Sequence, residues 1–140
     1  PEKLIPLAIL KIISRQSIPI FGNGEQIRDW IHVNDHCQAL LNVLYNAKGG
    51  SRFNIGGSNE ISNLNLIRKI CSIYDEFHNN NNLESSNKLI KFVNDRPGHD
   101  FRYSINSSFI NKKLSWKPQI NFDFGLKETI DHYVSIFKDV

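Results

Sequence analysis

The stretch IPIFGNGEQIRDWIHVNDHCQAL, residues 18–40, indicates the fold class because β-rich, turn and helical patterns follow one another within it. Residues 17–22 are rich in β-favouring side chains, and Pro19 near their start is typical of an edge strand, where a missing backbone N–H is tolerated. The glycines of GNG, residues 22–24, predict a tight turn. Residues 28–33 predict a second short strand beyond that turn.

The same stretch leads into a predicted helix over residues 35–46. Asn34 is a good N-cap for this helix, and Asp35 suits the positive end of the helix dipole. The double glycine at 49–50 predicts where the helix ends. We expect the helix to bury its apolar side, which carries Leu40, Leu41, Val43 and Leu44.

The flanking sequence supplies the other elements. Residues 4–14 are apolar nearly all round, which predicts a helix that needs cover on several sides. Ser62 or Asn63 caps a predicted helix over residues 64–77. Short strands alternating with helices predict an α/β fold with an α+β-like character. The remaining predicted elements are strands at 51–57, 89–93 and 102–105 and helices at 107–114 and 123–138.

The length of 140 residues predicts one domain, residues 1–140. Within it, residues 78–87, HNNNNLESSN, are polar and of low complexity, which predicts a flexible Asn-rich loop. The chain contains no Met. We therefore expect a segment of a longer protein.

Charge and hydropathy exclude several classes of function. A formal net charge of +3 permits an anionic ligand, but nucleic-acid-binding domains usually concentrate far more Lys and Arg on one face. No apolar run reaches the ~18 residues that a membrane span needs, and the first residues do not form a signal peptide. We therefore expect a cytoplasmic protein that binds neither nucleic acid nor membrane.

The cysteine and histidine residues give no sign of a metal site. Cys37 and Cys71 lie inside helical patterns and outside any C-x-x-C motif, which favours reduced, buried thiols. His32 and His36 are four residues apart, but they fall on different predicted elements, a strand and the following helix. No metal site is predicted.

GNGEQI, residues 22–27, begins like the G-x-G-x-x-G fingerprint of dinucleotide-binding turns. Ile27 stands where the third glycine belongs and no helix is predicted next, so we interpret the segment as a β-turn. The sequence also lacks a P-loop, a G-x-S-x-G and a Tyr-x-x-x-Lys pair. No dinucleotide site and no catalytic residue are therefore predicted in these residues.

Polar and charged groups stand at the ends of several predicted elements. Lys3 precedes the first helix, and Arg28 opens a strand after a glycine turn. Asn63 lies at a helix N-terminus, where free backbone N–H groups favour anions. Each residue alone also fits a surface role, and Arg28 could pair with Asp29.

The segment FVNDRPGHDFRYS, residues 92–104, concentrates charge in one predicted turn. Arg96 and His99 lie just after a predicted strand, with Asp100 and Arg102 beside them. An arginine offers a planar fork that grips two oxygens of a diphosphate, and a lysine adds a point charge. The segment is therefore a candidate anion site or a solvated surface loop.

Five motifs occur in order along the chain: PEKLIPLAI, IPIFGNGEQIRDWIHVNDHCQAL, FNIGGSNEISNL, FVNDRPGHDFRYSI and LSWKP. Together they resemble the C-terminal, substrate-binding part of nucleotide-sugar dehydratases of the extended short-chain dehydrogenase/reductase class, and most closely the dTDP-glucose 4,6-dehydratase family. The resemblance covers nearly the whole chain apart from the Asn-rich loop. Epimerases and decarboxylases of the class share looser forms of RDWIHV and NIG, and a stand-alone nucleotide-binding module is a further alternative.

The resemblance implies an NAD-dependent hydro-lyase of deoxysugar (rhamnose-type) biosynthesis. Such an enzyme converts dTDP-glucose or UDP-glucose to the 4-keto-6-deoxy sugar by oxidation at C4, loss of water across C5–C6 and hydride return to C6. NAD and the catalytic Tyr, Lys and carboxylates would lie in an N-terminal Rossmann half. The resemblance therefore implies no turnover by these 140 residues alone, and a homodimeric full-length protein.

The resemblance also implies which residues contact the nucleotide sugar. Arg28 and Arg96 would hold the phosphates, and Asn63 would contact the nucleotide sugar. The nucleotide pocket would be lined by Glu2, Lys3, Leu4, Ile5, Pro6 and Leu7. The base would be flanked by Pro19, Ile20 and Phe21. The pocket would be closed by Asp95, Arg96, Pro97, Gly98 and His99.

Two positions depart from the family pattern. Phe21 stands where the family often has Tyr, so a hydroxyl contact to the base or ribose would be lost. Phe101 stands where the family often has Arg, which removes one positive charge beside the loop. The sequence leaves dTDP and UDP open as the nucleotide.

Overall fold

The structure is a computed structural model that describes residues 2–78 and 83–137. Helices and short strands alternate through the described residues, which confirms the predicted mixed α/β fold class. The helices are α1 (Leu4–Ile13), α2 (Val33–Asn46), α3 (Asn63–Phe77), α4 (Ser108–Leu114), α5 (Phe122–Phe137) and a 3₁₀ turn at Ser86–Leu89. The strands are β1 (Ile18–Phe21), β2 (Ile27–Asp29), β3 (Glu60–Ser62) and β4 (Ile90–Val93).

The chain divides into two compact units. The first comprises Pro1–Gln26, Ser62–Phe101 and Leu126–Val140, and the second comprises Ile27–Ile61 and Arg102–Gly125. In the first unit β1 and β4 pair in parallel, from Ile18 opposite Ile90 to Phe21 opposite Val93. Parallel strands need a long crossover connection, so this pairing brings together two segments that are far apart in sequence.

The core of the first unit comes from α1, α3, β1 and α5. Every residue of α1 is at least half-buried, which confirms that this all-round apolar helix is covered on several sides. α1 packs against α3 and β1. The α3 helix begins after Ser62, whose hydroxyl accepts a hydrogen bond from the Asn65 N–H at 3.3 Å. The core side chains are Ala8, Ile9, Ile12, Ile18, Ile20, Leu66, Ile67, Ile70, Cys71, Leu126, Ile130 and Val134.

The second unit has a smaller core and a second two-stranded sheet. β2 pairs with β3, and α2 packs against α4. The hydrophobic core cluster consists of the buried Ala39, Ile110 and Trp116. Against it pack the partly buried Ile31, Val43, Phe53, Ile55 and Leu114.

The first turn of α2 differs from the prediction. β2 ends at Asp29, and the helix begins at Val33 with His32 as its N-cap, so His32 is not in a strand and Asn34 is not the cap. The imidazole Nδ1 of His32 accepts the hydrogen bond of the Asn34 N–H at 3.3 Å. An imidazole acceptor therefore performs the role that the sequence assigned to an asparagine amide.

The buried face of α2 also differs from the prediction. Leu40, Leu41 and Leu44 are 50%, 45% and 72% exposed. The helix instead buries Asp35 and Ala39, one turn apart, because the Asp35 carboxylate accepts the N–H groups of Gln119 (3.0 Å) and Ile120 (2.9 Å). Because the buried Asp35 carboxylate pairs two backbone donors, α2 buries the face that carries Asp35 instead of its predicted apolar face.

The predicted strand over residues 51–57 is absent from the described structure. The Asp29 carboxylate accepts the N–H groups of Gly57 (2.9 Å) and Asn59 (2.8 Å), so a side chain takes donors that a strand partner would otherwise pair. A Cβ on Gly57 would lie 1.9 Å from the carbonyl oxygen of Trp30, so only glycine permits this approach. The predicted strand at 102–105 is likewise reduced to a single bridge between Arg102 and Ile27.

The predicted Asn-rich loop over residues 78–87 falls partly on residues 79–82, which lie outside the described residues. Its C-terminal end is anchored rather than free. The Asp75 carboxylate accepts hydrogen bonds from the Ser85 hydroxyl (2.9 Å) and the Ser86 N–H (2.8 Å), and Ser86 is fully buried. The predicted end of the last helix at residue 138 also lies outside the described residues.

The two cysteines differ from each other. Cys71 is buried, and burial raises the pKa of its thiol to about 12, as expected for an inert core residue. Cys37 is exposed, which corrects the prediction that both thiols are buried. Cys37 is exposed because the buried face of α2 carries Asp35 and Ala39.

Candidate functional site

The loop over residues 94–99 is held by the carboxylate of Asp95. Its Oδ1 accepts hydrogen bonds from the Arg96 N–H at 2.9 Å and from Nδ1 of His99 at 2.6 Å, and its Oδ2 accepts one from Nε2 of Gln26 at 3.0 Å. The His99 hydrogen bond is the main cause that lowers the pKa of the Asp95 carboxyl. Desolvation opposes it, and the hydrogen bonds from the Arg96 N–H and Gln26 lower the pKa further, so that the net shift is downward. The loop is therefore preorganised around an ionised carboxylate.

Gly22 leaves the space that this carboxylate occupies. Its φ is +60°, and a Cβ at this position would lie 2.9 Å from Oδ2 of Asp95. Gly24, with φ of +75°, similarly approaches Ile20 and Leu64. The GNG segment is a turn, as predicted, and its glycines also permit close packing within the first unit.

The tip of the loop presents Arg96 to solvent. Arg96, Pro97 and Gly98 are exposed, and Gly98 turns the chain with φ of +69°. Within the described part of the chain, the guanidinium of Arg96 has no hydrogen-bond or ion-pair partner. The His99 side chain is only 5% exposed and lies edge-on to Phe21, with ring centroids 6.5 Å apart. The base of the loop is therefore fixed by hydrogen bonds, and the guanidinium at its tip is accessible to a ligand.

The other predicted contact residues of the first unit lie as follows. Lys3 is the N-cap of α1 and pairs with Glu2 at 3.2 Å, both side chains being more than four-fifths exposed. Ile20 is buried, whereas Phe21 at the end of β1 is 44% exposed. Asn63 is the first residue of α3, and its N–H donates to the Gln26 carbonyl at 2.9 Å. The half-buried residues are Leu4, Ile5, Pro6, Leu7, Pro19 and Asn63.

The structure therefore joins three of the predicted segments directly. The end of β1, the start of α3 and the Asp95 loop are linked by hydrogen bonds that pass through Gln26. Among the described residues, no hydrogen bond or ion pair links residues 2–7 to that loop. Gln26 was missed by the sequence analysis, because a polar residue beside a glycine turn carries no local signal of its partners.

Arg28 belongs to the second unit. Its guanidinium carbon lies 4.5 Å from the centroid of the Tyr103 ring, and its Nη1 donates to the Ile27 carbonyl at 2.7 Å. Asp29 instead accepts the two backbone N–H groups described above. An open cavity of about 410 Å³ adjoins this arginine, lined by Arg28, Asp29, Arg102, Tyr103, Ser104 and Ile105.

A second carboxylate cluster, also missed by the sequence analysis, lies in the second unit. Glu60 accepts hydrogen bonds from Nε and Nη2 of Arg102 at 2.7 and 2.8 Å and from the Ser104 hydroxyl at 2.7 Å. The Arg102 hydrogen bonds and then that of Ser104 lower the pKa of the Glu60 carboxyl, and Glu60 in turn raises the pKa of Arg102. The forked pair occupies the guanidinium of Arg102.

The GNG turn does not form a dinucleotide cradle. The GNG turn leads into β2 rather than into a helix, so no helix N-terminus follows Gly24 to receive a diphosphate. The described side chains also contain no group of three or more His, Cys, Asp or Glu placed to hold a metal ion. None of the described helices combines the length and apolar character needed to cross a membrane.

Comparison with known proteins gives a consistent family. The family model for GDP-mannose 4,6 dehydratase matches residues 1–129. A dTDP-glucose 4,6-dehydratase from Escherichia coli is 46% identical over 137 residues, which is 96% of this chain and 38% of that protein. A probable dTDP-glucose 4,6-dehydratase from Sinorhizobium fredii is 42% identical over 134 residues, again 96% of this chain and 38% of that protein.

Solved structures agree. The dTDP-glucose 4,6-dehydratase from Bacillus anthracis, in complex with NAD, matches 96% of this chain and 40% of its own, with a TM-score of 0.85 and 36% identity. The dTDP-glucose 4,6-dehydratase DesIV from Streptomyces venezuelae, with NAD and TYD bound, matches 96% of this chain and 39% of its own, with a TM-score of 0.87 and 32% identity.

The chain thus spans about two fifths of the length of these relatives. It matches the C-terminal portion of the extended short-chain dehydrogenase/reductase dehydratases, as its motifs predicted. Because the family model covers all but the last eleven of the 140 residues, the chain belongs to the GDP-mannose 4,6 dehydratase family.

Proposed function

We propose that the protein containing this chain is an NAD-dependent nucleotide-glucose 4,6-dehydratase, a hydro-lyase that converts dTDP-glucose or UDP-glucose to the 4-keto-6-deoxy sugar and water. These residues would supply the binding of the nucleotide sugar. Support comes from relatives named dTDP-glucose 4,6-dehydratase at 42–46% identity and from solved relatives with NAD bound. A cytoplasmic homodimer acting in deoxysugar (rhamnose-type) biosynthesis belongs to the same proposal.

The observation that carries the proposal is the state of Arg96. Its loop is held by Asp95, and its guanidinium lies exposed without a polar partner in the described structure. A loop that is ordered before binding loses less conformational entropy when a ligand arrives. A free guanidinium on such a loop suits a diphosphate, which accepts two parallel hydrogen bonds from the planar fork.

The other predicted contact residues have roles of their own in the proposal. In the proposal Arg28 is the second phosphate ligand. Asn63, the first residue of α3, contacts the nucleotide sugar through its side chain, because its backbone N–H already donates to the Gln26 carbonyl. The exposed ring of Phe21 flanks the base together with Pro19 and Ile20. Residues 2–7 line the nucleotide pocket, and residues 95–99 close it.

In the proposal these residues do not supply the NAD site. The GNG turn offers no dinucleotide cradle, so in the proposal NAD and the groups that act on the hexose are held elsewhere in the full-length protein. The role left to this chain is to bind and orient the nucleotide sugar, which makes the reaction effectively unimolecular. The 140 residues alone would therefore show no turnover.

The test uses the full-length protein with NAD and, in parallel reactions, dTDP-glucose and UDP-glucose. We expect one of them to yield a product that is lighter by one water and carries a 4-keto group, detected by mass spectrometry and NMR. The relative turnover identifies the preferred nucleotide. A product of unchanged mass with inverted stereochemistry would identify an epimerase and overturn the proposal, as would no product from either substrate.

A further inference from the structure

Gln26 lies at the junction of three segments of the proposed nucleotide-sugar site. The residue is 4% exposed and follows the GNG turn in the first unit. Its Nε2 donates to the Phe21 carbonyl at 3.3 Å and to Oδ2 of Asp95 at 3.0 Å. One amide nitrogen therefore ties the end of β1 to the Asp95 loop.

The backbone of the same residue reaches the third segment. The Gln26 carbonyl accepts the N–H of Asn63 at 2.9 Å, and the Gly24 carbonyl accepts the N–H of Leu64 at 3.0 Å. These two bonds fix the first residues of α3 beside the GNG turn. The end of β1, the start of α3 and the Asp95 loop thus meet at a single side chain and its backbone.

The orientation of the Gln26 amide follows from its neighbours. The Phe21 carbonyl and the Asp95 carboxylate are both acceptors, so only the NH₂ end of the amide can face them. The other end, Oε1, is buried and has no hydrogen-bond partner among the described residues. An unpaired buried acceptor is unfavourable, which indicates that the donor end carries the role of this residue.

A neutral donor also suits the electrostatics of the loop. A lysine or arginine at position 26 would form an ion pair with Asp95, and a glutamate would repel it. Glutamine holds the carboxylate through a hydrogen bond and adds no charge next to a site for an anion. The free positive charge of the loop stays on Arg96.

We propose that Gln26 is a positioning residue, which fixes the Asp95 loop, and with it Arg96, against the end of β1 and the start of α3. This inference rests on the proposed function, since the ligand to be positioned is the nucleotide diphosphate. Gln26 itself need not touch that ligand. Removal of its donors should release the loop and weaken binding without altering the chemical step.

The variants are Gln26→Glu, which is isosteric but replaces the donors with a carboxylate, and Gln26→Met, which removes them without adding charge. Gln38→Glu is the matched control, because Gln38 is exposed on α2 in the second unit. All are made in the full-length protein. The first measurement is hydrogen–deuterium exchange of residues 94–99 without ligand, and the second is steady-state kinetics with the nucleotide sugar.

We expect Gln26→Glu and Gln26→Met to increase exchange in residues 94–99 and to raise KM by roughly tenfold, equivalent to about 1.4 kcal/mol, while kcat changes by less than about twofold. Gln38→Glu should change neither. Gln26→Glu should also regain affinity as the pH falls from 8 to 6. Burial and the nearby Asp95 raise the pKa of the introduced carboxyl, and its protonated form again donates a hydrogen bond. Gln26→Met should show no such recovery.

Unchanged exchange and unchanged KM in both Gln26 variants would overturn the inference. Should neither variant fold, the wild-type protein still tests it: the Arg96 amide, which donates to Asp95, must be protected from exchange without ligand, and an unprotected amide overturns the inference. Because exchange is measured without substrate, loop release in an enzyme that yields no 4-keto product would refute the proposed function and leave the positioning role of Gln26 in place.

Discussion

Asp95 in the first unit and Glu60 in the second are both exposed carboxylates that organise a loop, but they use different partners. The Asp95 carboxylate accepts hydrogen bonds from the neutral amide of Gln26, the backbone N–H of Arg96 and the ring of His99. The Glu60 carboxylate accepts hydrogen bonds from the Ser104 hydroxyl and from two nitrogens of the Arg102 guanidinium. The first cluster leaves its arginine side chain free, and the second occupies it.

This difference separates two arginines that look alike in sequence. Arg96 and Arg102 lie six residues apart in one charged segment, and each could serve as an anion ligand on local evidence. The net free energy of binding an anion depends on which interactions the guanidinium loses when the anion binds. Arg102 would have to exchange two charge-assisted hydrogen bonds for new ones, whereas Arg96 gives up only water.

The largest expected effect therefore distinguishes these arginines. Arg96→Ala in the full-length protein should raise the Kd for dTDP or UDP by at least about tenfold, because a charge-assisted phosphate contact is lost. Arg102→Ala should change it by less than about threefold. Isothermal titration calorimetry with the free nucleotide measures both constants.

Arg52→Ala is the control for loss of one positive charge, since Arg52 is an exposed arginine of the second unit. Its Kd should equal that of the wild type. A larger effect at Arg102 than at Arg96 would reverse the comparison and place the phosphate site in the second unit. Equal changes in Kd at all three positions would mean that each arginine contributes only a general electrostatic attraction to the nucleotide.

The contrast also explains what the sequence could predict. α1 and α3 are predicted to within one residue at each end, because the long apolar run of α1, the apolar periodicity of α3 and the Ser62 cap are local signals. Five motifs identified the family. The loop over residues 95–99 was recognised as a candidate site, because its charges lie close together in sequence.

What the sequence did not predict depends on contacts across long sequence separations. The pair Gln26–Asp95 spans 69 residues and the pair Arg102–Glu60 spans 42. The prediction of the buried face of α2 was wrong because Asp35 accepts hydrogen bonds from backbone N–H groups more than 80 residues away. Apolar periodicity cannot identify a carboxylate that will be buried against such donors.

A smaller effect tests Arg28, whose guanidinium lies over the ring of Tyr103. Tyr103→Ala should raise the Kd for the nucleotide by about two- to fivefold, because a cation–π contact at an exposed site is worth about 0.5–1 kcal/mol and helps to orient the guanidinium. Tyr103→Phe keeps the ring and should bind as the wild type does. Equal losses in both variants would assign the effect to the hydroxyl group instead.

The smallest expected effect is the pH dependence of the two clusters. The pKa of Asp95 and that of Glu60 are both lowered in the folded protein, the first mainly by His99 and the second mainly by Arg102. A lowered pKa means that the ionised form is favoured by folding. Its stabilising contribution is therefore complete above the ordinary pKa, 3.8 for Asp and 4.5 for Glu, and is lost as the pH falls through the lower value of the folded state.

Asp95→Asn and Glu60→Gln remove this titration one cluster at a time. The stability difference between the wild type and Asp95→Asn, from urea unfolding between pH 6 and pH 3, should be constant above about pH 4 and should shrink below it. For Glu60→Gln the difference should begin to shrink about 0.7 pH unit higher, because the ordinary pKa is 4.5 for a glutamate and 3.8 for an aspartate. A difference that stays constant down to pH 3 would mean that the carboxylate contributes through shape alone, and that its cluster is not held by charge.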